Sequence, residues 1–83
     1  MPVVFREAGL RIHFFAHEGL PREPVHVHVA RPGGDAKFWL DPEVRLARNK
    51  GLTARELRQA QETVRKRRQE LIDAWNAFFA GSD

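Results

Sequence analysis

The chain has 83 residues, no cysteine and a formal net charge of +3. That length allows one domain, residues 1–83, with a modest core. Without cysteine there are no disulfides and no thiolate metal sites, so packing must hold the fold. No stretch approaches the ~20 apolar residues of a membrane span. The opening Met-Pro-Val-Val-Phe-Arg lacks the long apolar run of a secretion signal. A cytoplasmic protein that does not enter a membrane is therefore expected.

Val3 to Glu7 and Leu10 to Ala16 are two alternating runs separated by Ala8-Gly9, a hairpin pattern. Val3, Phe5, Leu10, Ile12 and Phe14 then share one face. Val4, Arg6, Arg11, His13 and Phe15 share the other. His17 to Pro24 reads as a loop, because Gly19, Pro21 and Pro24 each stop regular structure.

Val25, Val27 and Val29 alternate with His26 and His28, which puts valines and histidines on opposite faces of a strand. Gly33-Gly34 reads as a tight turn into a second run, Ala36 to Asp41. A two-residue loop there sets Val29 opposite Phe38 and Val27 opposite Leu40. It also sets His28 opposite Trp39 and His26 opposite Asp41. Val44 and Leu46 alternate with Glu43, Arg45 and Ala47, consistent with a short edge strand or an irregular segment. Asn49-Lys50-Gly51 is a turn signal.

Thr53-Ala54-Arg55-Glu56 is a capping box, and neither Pro nor Gly follows until Gly81. One long helix from Ala54 to Phe79 or Ala80 is predicted, stopped by Gly81. Its stripe is Leu57, Ala60, Val64, Leu71, Ile72, Trp75, Phe78 and Phe79. Such a helix is about 40 Å long at 1.5 Å per residue, whereas six-residue strands span only ~20 Å. Either the Trp75-Phe78-Phe79 end packs elsewhere, for instance on a partner chain, or the helix bends and uses that end in its own core. The fold class expected is α+β: an antiparallel meander of four to five strands within residues 1–48, packed on one long C-terminal helix within residues 53–80.

Three chemistries fit the histidine face. His26, His28, His13 and Asp41 could approach one metal ion, but H-x-H spacing is weakly specific and no clear third ligand exists. No metal and no cofactor are assigned. His26 and His28 could act as general base and acid in a metal-free ribonuclease, with Asp41 orienting His26 and a cation stabilising the phosphorane. Alternatively the face only binds. Trp39, Phe15 and the histidines stack bases while Arg6, Arg11 and Lys37 hold phosphates. Arg65-Lys66-Arg67-Arg68 is a further cationic run suited to nucleic acid. The bland alternatives are a solvated helix face for that run, and for the histidines a half-wet sheet face or one covered by a second subunit. Pro32-Gly33-Gly34-Asp35 lacks the lysine-bearing phosphate-loop pattern. Ser82 has no nucleophile context. Kinase, dehydrogenase and hydrolase readings therefore have no support.

The order Pro-Val-His-Val-His-Val, Gly-Gly-Asp-Ala-Lys-Phe-Trp-Leu-Asp-Pro, Leu-Ala-Arg-Asn-Lys-Gly-Leu-Thr-Ala-Arg-Glu-Leu and Trp-Asn-Ala-Phe-Phe resembles the bacterial family called domain of unknown function 4160. The likeness covers nearly the whole chain. Family members typically read His-x-Pro-Pro-His-Val-His. Here the first histidine is His17, the loop Glu18 to Glu23 is longer, and the prolines are spread to Pro21 and Pro24. The resemblance implies little about activity and assigns no catalytic residue. Members are often encoded beside another small uncharacterised family, which implies a two-gene toxin–antitoxin module. It follows that a small protein partner and an RNA or DNA target are expected, RNA being favoured. The competing expectation is a non-catalytic interaction module, a homodimer included, whose histidine face or helix end is buried by its partner.

Overall fold

A computed structural model describes residues 3–15 and 23–80. The expected loop at 17–22, the Gly81 stop and the side chains of Val3 and Phe5 fall outside what is described. The elements are β1 (Val3–Glu7), β2 (Leu10–His13), β3 (His26–Arg31), β4 (Gly34–Trp39), β5 (Arg45–Lys50), α1 (Ala54–Lys66) and α2 (Arg68–Phe79). The strands form one antiparallel sheet in the order β1-β2-β3-β4-β5. This is the α+β meander that the alternating pattern implies, with the fifth strand formed.

The Ala8-Gly9 turn has positive φ at both residues, 52° and 79°, as a primed hairpin turn requires. The second turn differs from expectation. Arg31 pairs with Gly34, so the loop is Pro32-Gly33 rather than Gly33-Gly34. Proline presets the first turn position, and Gly33 accepts the positive φ of 97° at the second. The register moves by two residues: Val27 faces Phe38, Val29 faces Ala36, His28 faces Lys37 and His26 faces Trp39. An even shift leaves every side chain on its expected face. Gly34 is needed for a different reason. A Cβ there would lie 2.7 Å from the carbonyl carbon of Gly51, and one on Gly51 would lie 2.6 Å from the oxygen of Gly33. The β3–β4 turn thus packs backbone to backbone on the corner between β5 and α1. Asn49 holds that corner by bonding both the N–H and the C=O of Leu52, each at 3.0 Å.

The valine face is the core face. Leu10, Ile12, Val27, Val29, Ala36, Phe38 and Leu40 pack there against Ala60, Val64 and Leu71 of the helices. The capping box forms: Thr53 Oγ1 accepts from the Glu56 N–H at 3.1 Å, and Glu56 Oε1 accepts from the Thr53 N–H at 2.9 Å.

The single long helix is corrected to two helices meeting at Arg67, whose backbone sits at φ −110°, ψ 19°. No Pro or Gly causes the bend. Hydrogen bonds run across it, from the Arg67 N–H to Thr63 O and from the Leu71 N–H to Arg67 O. The Thr63 hydroxyl donates to Gln59 O at 3.0 Å, a back-bond that favours helix bending. Arg67 itself is drawn to Glu7 of β1 at 2.8 Å. The bend answers the length mismatch. Trp75 and Phe79 turn onto Phe14 and form a second apolar cluster past the end of the sheet, while Phe78 stays 45% exposed.

Removing a fully buried aromatic side chain costs about 3–5 kcal/mol, a large share of the ~5–15 kcal/mol that stabilises a small domain. Trp75→Ala should therefore lower the unfolding free energy by about that amount, and Phe78→Ala by under ~1 kcal/mol. Equal costs in denaturant titrations would mean that α2 does not fold back onto Phe14.

Candidate nucleic-acid interface

α1 and the start of α2 lie on the valine face. The end of α2 passes beyond the sheet, where Trp75 meets His26 of the opposite face. Cross-strand pairing assembles that face in rows. Arg6 faces Arg11, which faces Ala30, Asp35 and then Lys50. His13 faces His28, which faces Lys37 and then Arg48. His26 faces Trp39, which faces Arg45. Directly paired residues in a sheet share a face. Arg6, Arg11, Lys37, Arg45, Arg48 and Lys50 are thus gathered there, against Asp35 within the strands and Glu23 just before β3.

Arg45, Arg48 and Lys50 were not evident as members of this face from the sequence. Strict alternation would put Arg48 opposite to Arg45. The register between β4 and β5 shifts between Lys37 and Phe38, so that Ala47 is the extra residue and all three cations return to one side. A charged, bulged strand also protects the sheet edge from unwanted pairing.

Lys37 Nζ lies 4.6 Å from the centroid of the Trp39 ring and 3.4 Å from Glu23 Oε1. Trp39 keeps part of its surface in solvent, as does Phe15. An aromatic plane bordered by cations suits base stacking with phosphate contacts.

The histidines are placed otherwise than a working surface would need. His13, His26 and His28 are all buried. His13 and His28 stack with ring centroids 5.5 Å apart, and Phe15 meets both edge-on. His26 has no exposed surface. Its ring packs on Trp39, His28 and Trp75. A carbonyl only accepts, so His26 Nδ1, 2.8 Å from Pro24 O, carries the proton and donates it there. Asp41 does not face His26, because the shifted register puts Trp39 there. The Asp41 carboxylate is exposed and lies 3.5 Å from Arg68. Among the described residues no group of three or more His, Asp or Glu side chains is arranged to hold a metal ion.

The cationic run at 65–68 is largely engaged within the molecule. Lys66 Nζ meets Glu7 Oε2 at 3.0 Å, and Arg67 meets Glu7 Oε1 at 2.8 Å and Glu70 at 3.2 Å. The Glu7 carboxyl is accordingly held below its ordinary value, first by Lys66 and then by Arg67. Arg68 Nε donates to Leu40 O at 2.6 Å, and its Nη2 donates to Pro42 O at 3.2 Å. Arg65 is exposed and makes none of these contacts.

The model of the family described as "Domain of unknown function (DUF4160)" matches residues 9–76, and the chain belongs to that family. No match is found among curated proteins or among solved structures. Among the described residues no helix is long and apolar enough to cross a membrane.

Burial lowers the His13 pKa from 6.5, with smaller contributions from the charges of His28 and Arg11. The unfolded chain then binds the proton more readily than the folded one. The stability that His13 contributes is complete above pH 6.5 and is lost as the pH falls through its folded value. Thermal midpoints should fall between about pH 7 and pH 5, and less steeply in His13→Phe. An identical slope in that variant would assign the pH dependence to other groups.

Proposed function

We propose that this protein binds nucleic acid, single-stranded RNA above all, across the sheet face opposite α1, as one component of a toxin–antitoxin-like pair in the bacterial cytoplasm. The observation that carries the reading is the gathering of Arg6, Arg11, Arg45, Arg48 and Lys50 beside the partly exposed Trp39, on the face opposite α1. Cations track the phosphates and the indole offers a stacking plane tolerant of base identity. The work assigned to the face is binding. The buried His26 ring, its Nδ1 proton committed to Pro24 O, is poorly placed to exchange protons with a phosphodiester. His13 and His28 support the surface from beneath.

A second reading has its own support. Phe78 is exposed on α2 beside Phe14, and every residue of β5 is exposed at the sheet edge. A protein partner covering either place is compatible with a module of two proteins.

The test is fluorescence anisotropy with a labelled twelve-nucleotide oligouridylate across a salt series. With about four phosphates engaged, affinity should fall roughly fiftyfold between ~50 and ~200 mM salt. The triple variant Arg45→Ala/Arg48→Ala/Lys50→Ala should bind more weakly and with a shallower salt slope. Arg58→Ala, on α1, should behave as wild type. Salt-independent binding, or equal loss in Arg58→Ala, would remove the sheet face from consideration.

A further inference from the structure

β2 begins and β3 ends at the same end of the sheet, because Arg11 pairs with Ala30. The Ala8-Gly9 and Pro32-Gly33 turns therefore stand side by side. Between them lies a cavity of about 440 Å³ lined by Arg6, Arg11 and Arg31, with Gly9 and Pro32 at its sides and Leu10 beneath. No carboxylate lines it. Arg6 and Arg11 make no ion pair among the described residues. Arg31 Nε is 3.1 Å from Glu56 Oε2, yet that buried nitrogen makes no hydrogen bond. Three arginines thus line one cavity, and of these only Arg31 has a carboxylate neighbour, Glu56. Like charges so arranged repel unless an anion joins them.

We propose that this pocket receives a terminal phosphate monoester, the phosphorylated end of an RNA strand lying on the adjoining basic face. The proposal rests on the RNA-binding reading for the strand, but not for the pocket itself. A monoester is close to dianionic at neutral pH, whereas a bridging phosphodiester carries one charge. Two guanidiniums without carboxylate partners match the larger charge, and the planar donor fork of arginine matches phosphate oxygens in bidentate fashion. The cavity volume lies in the ~300–1,000 Å³ range of small-molecule sites, large enough for a nucleotide rather than a bare ion. The exposed Pro32 ring offers apolar surface for its sugar or base. Arg11 belongs both to the pocket and to the open face, so a strand running along the face would end at the pocket.

The experiment compares five labelled or free ligands: oligouridylate with a 5′-phosphate, with a 3′-phosphate, with hydroxyls at both ends, and uridine monophosphate beside uridine in a thermal-shift assay. One phosphorylated end should bind about tenfold tighter than the hydroxyl-ended strand, the gain expected of one added charge-assisted contact set. Which end it is separates the two sources of the monoester. Uridine monophosphate should raise the melting temperature and uridine should not. Arg31→Ala should erase the preference while leaving affinity for the hydroxyl-ended strand unchanged. Glu56→Gln keeps a capping-box residue but removes the acid beside Arg31, and should strengthen the preference several-fold. Equal binding of all three strands, with no shift from uridine monophosphate, would overturn the pocket and leave the face standing. An Arg31-dependent shift from uridine monophosphate without strand binding would do the reverse. Failure of every arm would remove both.

Discussion

Glu7 joins the sheet to the helix bend by charge rather than by apolar contact. The buried positions Ala60, Val64, Leu71, Trp75 and Phe79 form one stripe with a gap where Arg67 and Arg68 stand. The sheet fills that gap with groups that accept hydrogen bonds: the Glu7 carboxylate for Lys66 and Arg67, and the Leu40 and Pro42 carbonyls for Arg68. Partly exposed ion pairs contribute little stability one by one. Their weight here lies in position. They fix which strands lie beneath the bend, and so direct α1 along the valine face and α2 past its end onto Phe14.

That placement decides what the other face is for. With α1 along one side and α2 past the end, the sheet divides into an apolar layer and a basic layer, and the histidines sit buried within the basic one. Their rings are amphipathic, and the stacked His13–His28 pair under Phe15 buries flat surface that a charged side chain would not. The cations reach outward from strand positions on either side of them. The face is therefore a rigid aromatic floor with a charged margin, an arrangement suited to holding a flexible polyanion without a deep cleft.

Alternation carried most of this from the sequence alone. Period-two patterning gave the strands, their faces and the helix-covered side, and the Thr53–Glu56 pair marked the helix start. An even error in the β3–β4 turn did no damage to the faces, since only odd slips exchange them. What alternation could not carry were the events that break it. The extra residue at Ala47 hid three cations of the open face. The bend at Arg67 has no Pro or Gly signal, because its causes, Glu7 and the Thr63 back-bond, lie in tertiary contact and hydroxyl geometry. Likewise the burial of His26 depends on Trp75, nearly fifty residues away, which no local pattern reports. A cationic run looks the same in sequence whether it faces solvent or reaches back to a carboxylate.

The backbone contact among Gly33, Gly34 and Gly51 has a bearing on how this chain can change over evolution. Two corners of the sheet touch with no side chain between them, so neither has room to lengthen. Surface turns commonly tolerate inserted residues, but an insertion beside Pro32 or Gly51 would separate the corners and loosen the attachment of β5 to the first turn of α1. Length variation should accordingly collect elsewhere, while this tip keeps its residue count and its small residues.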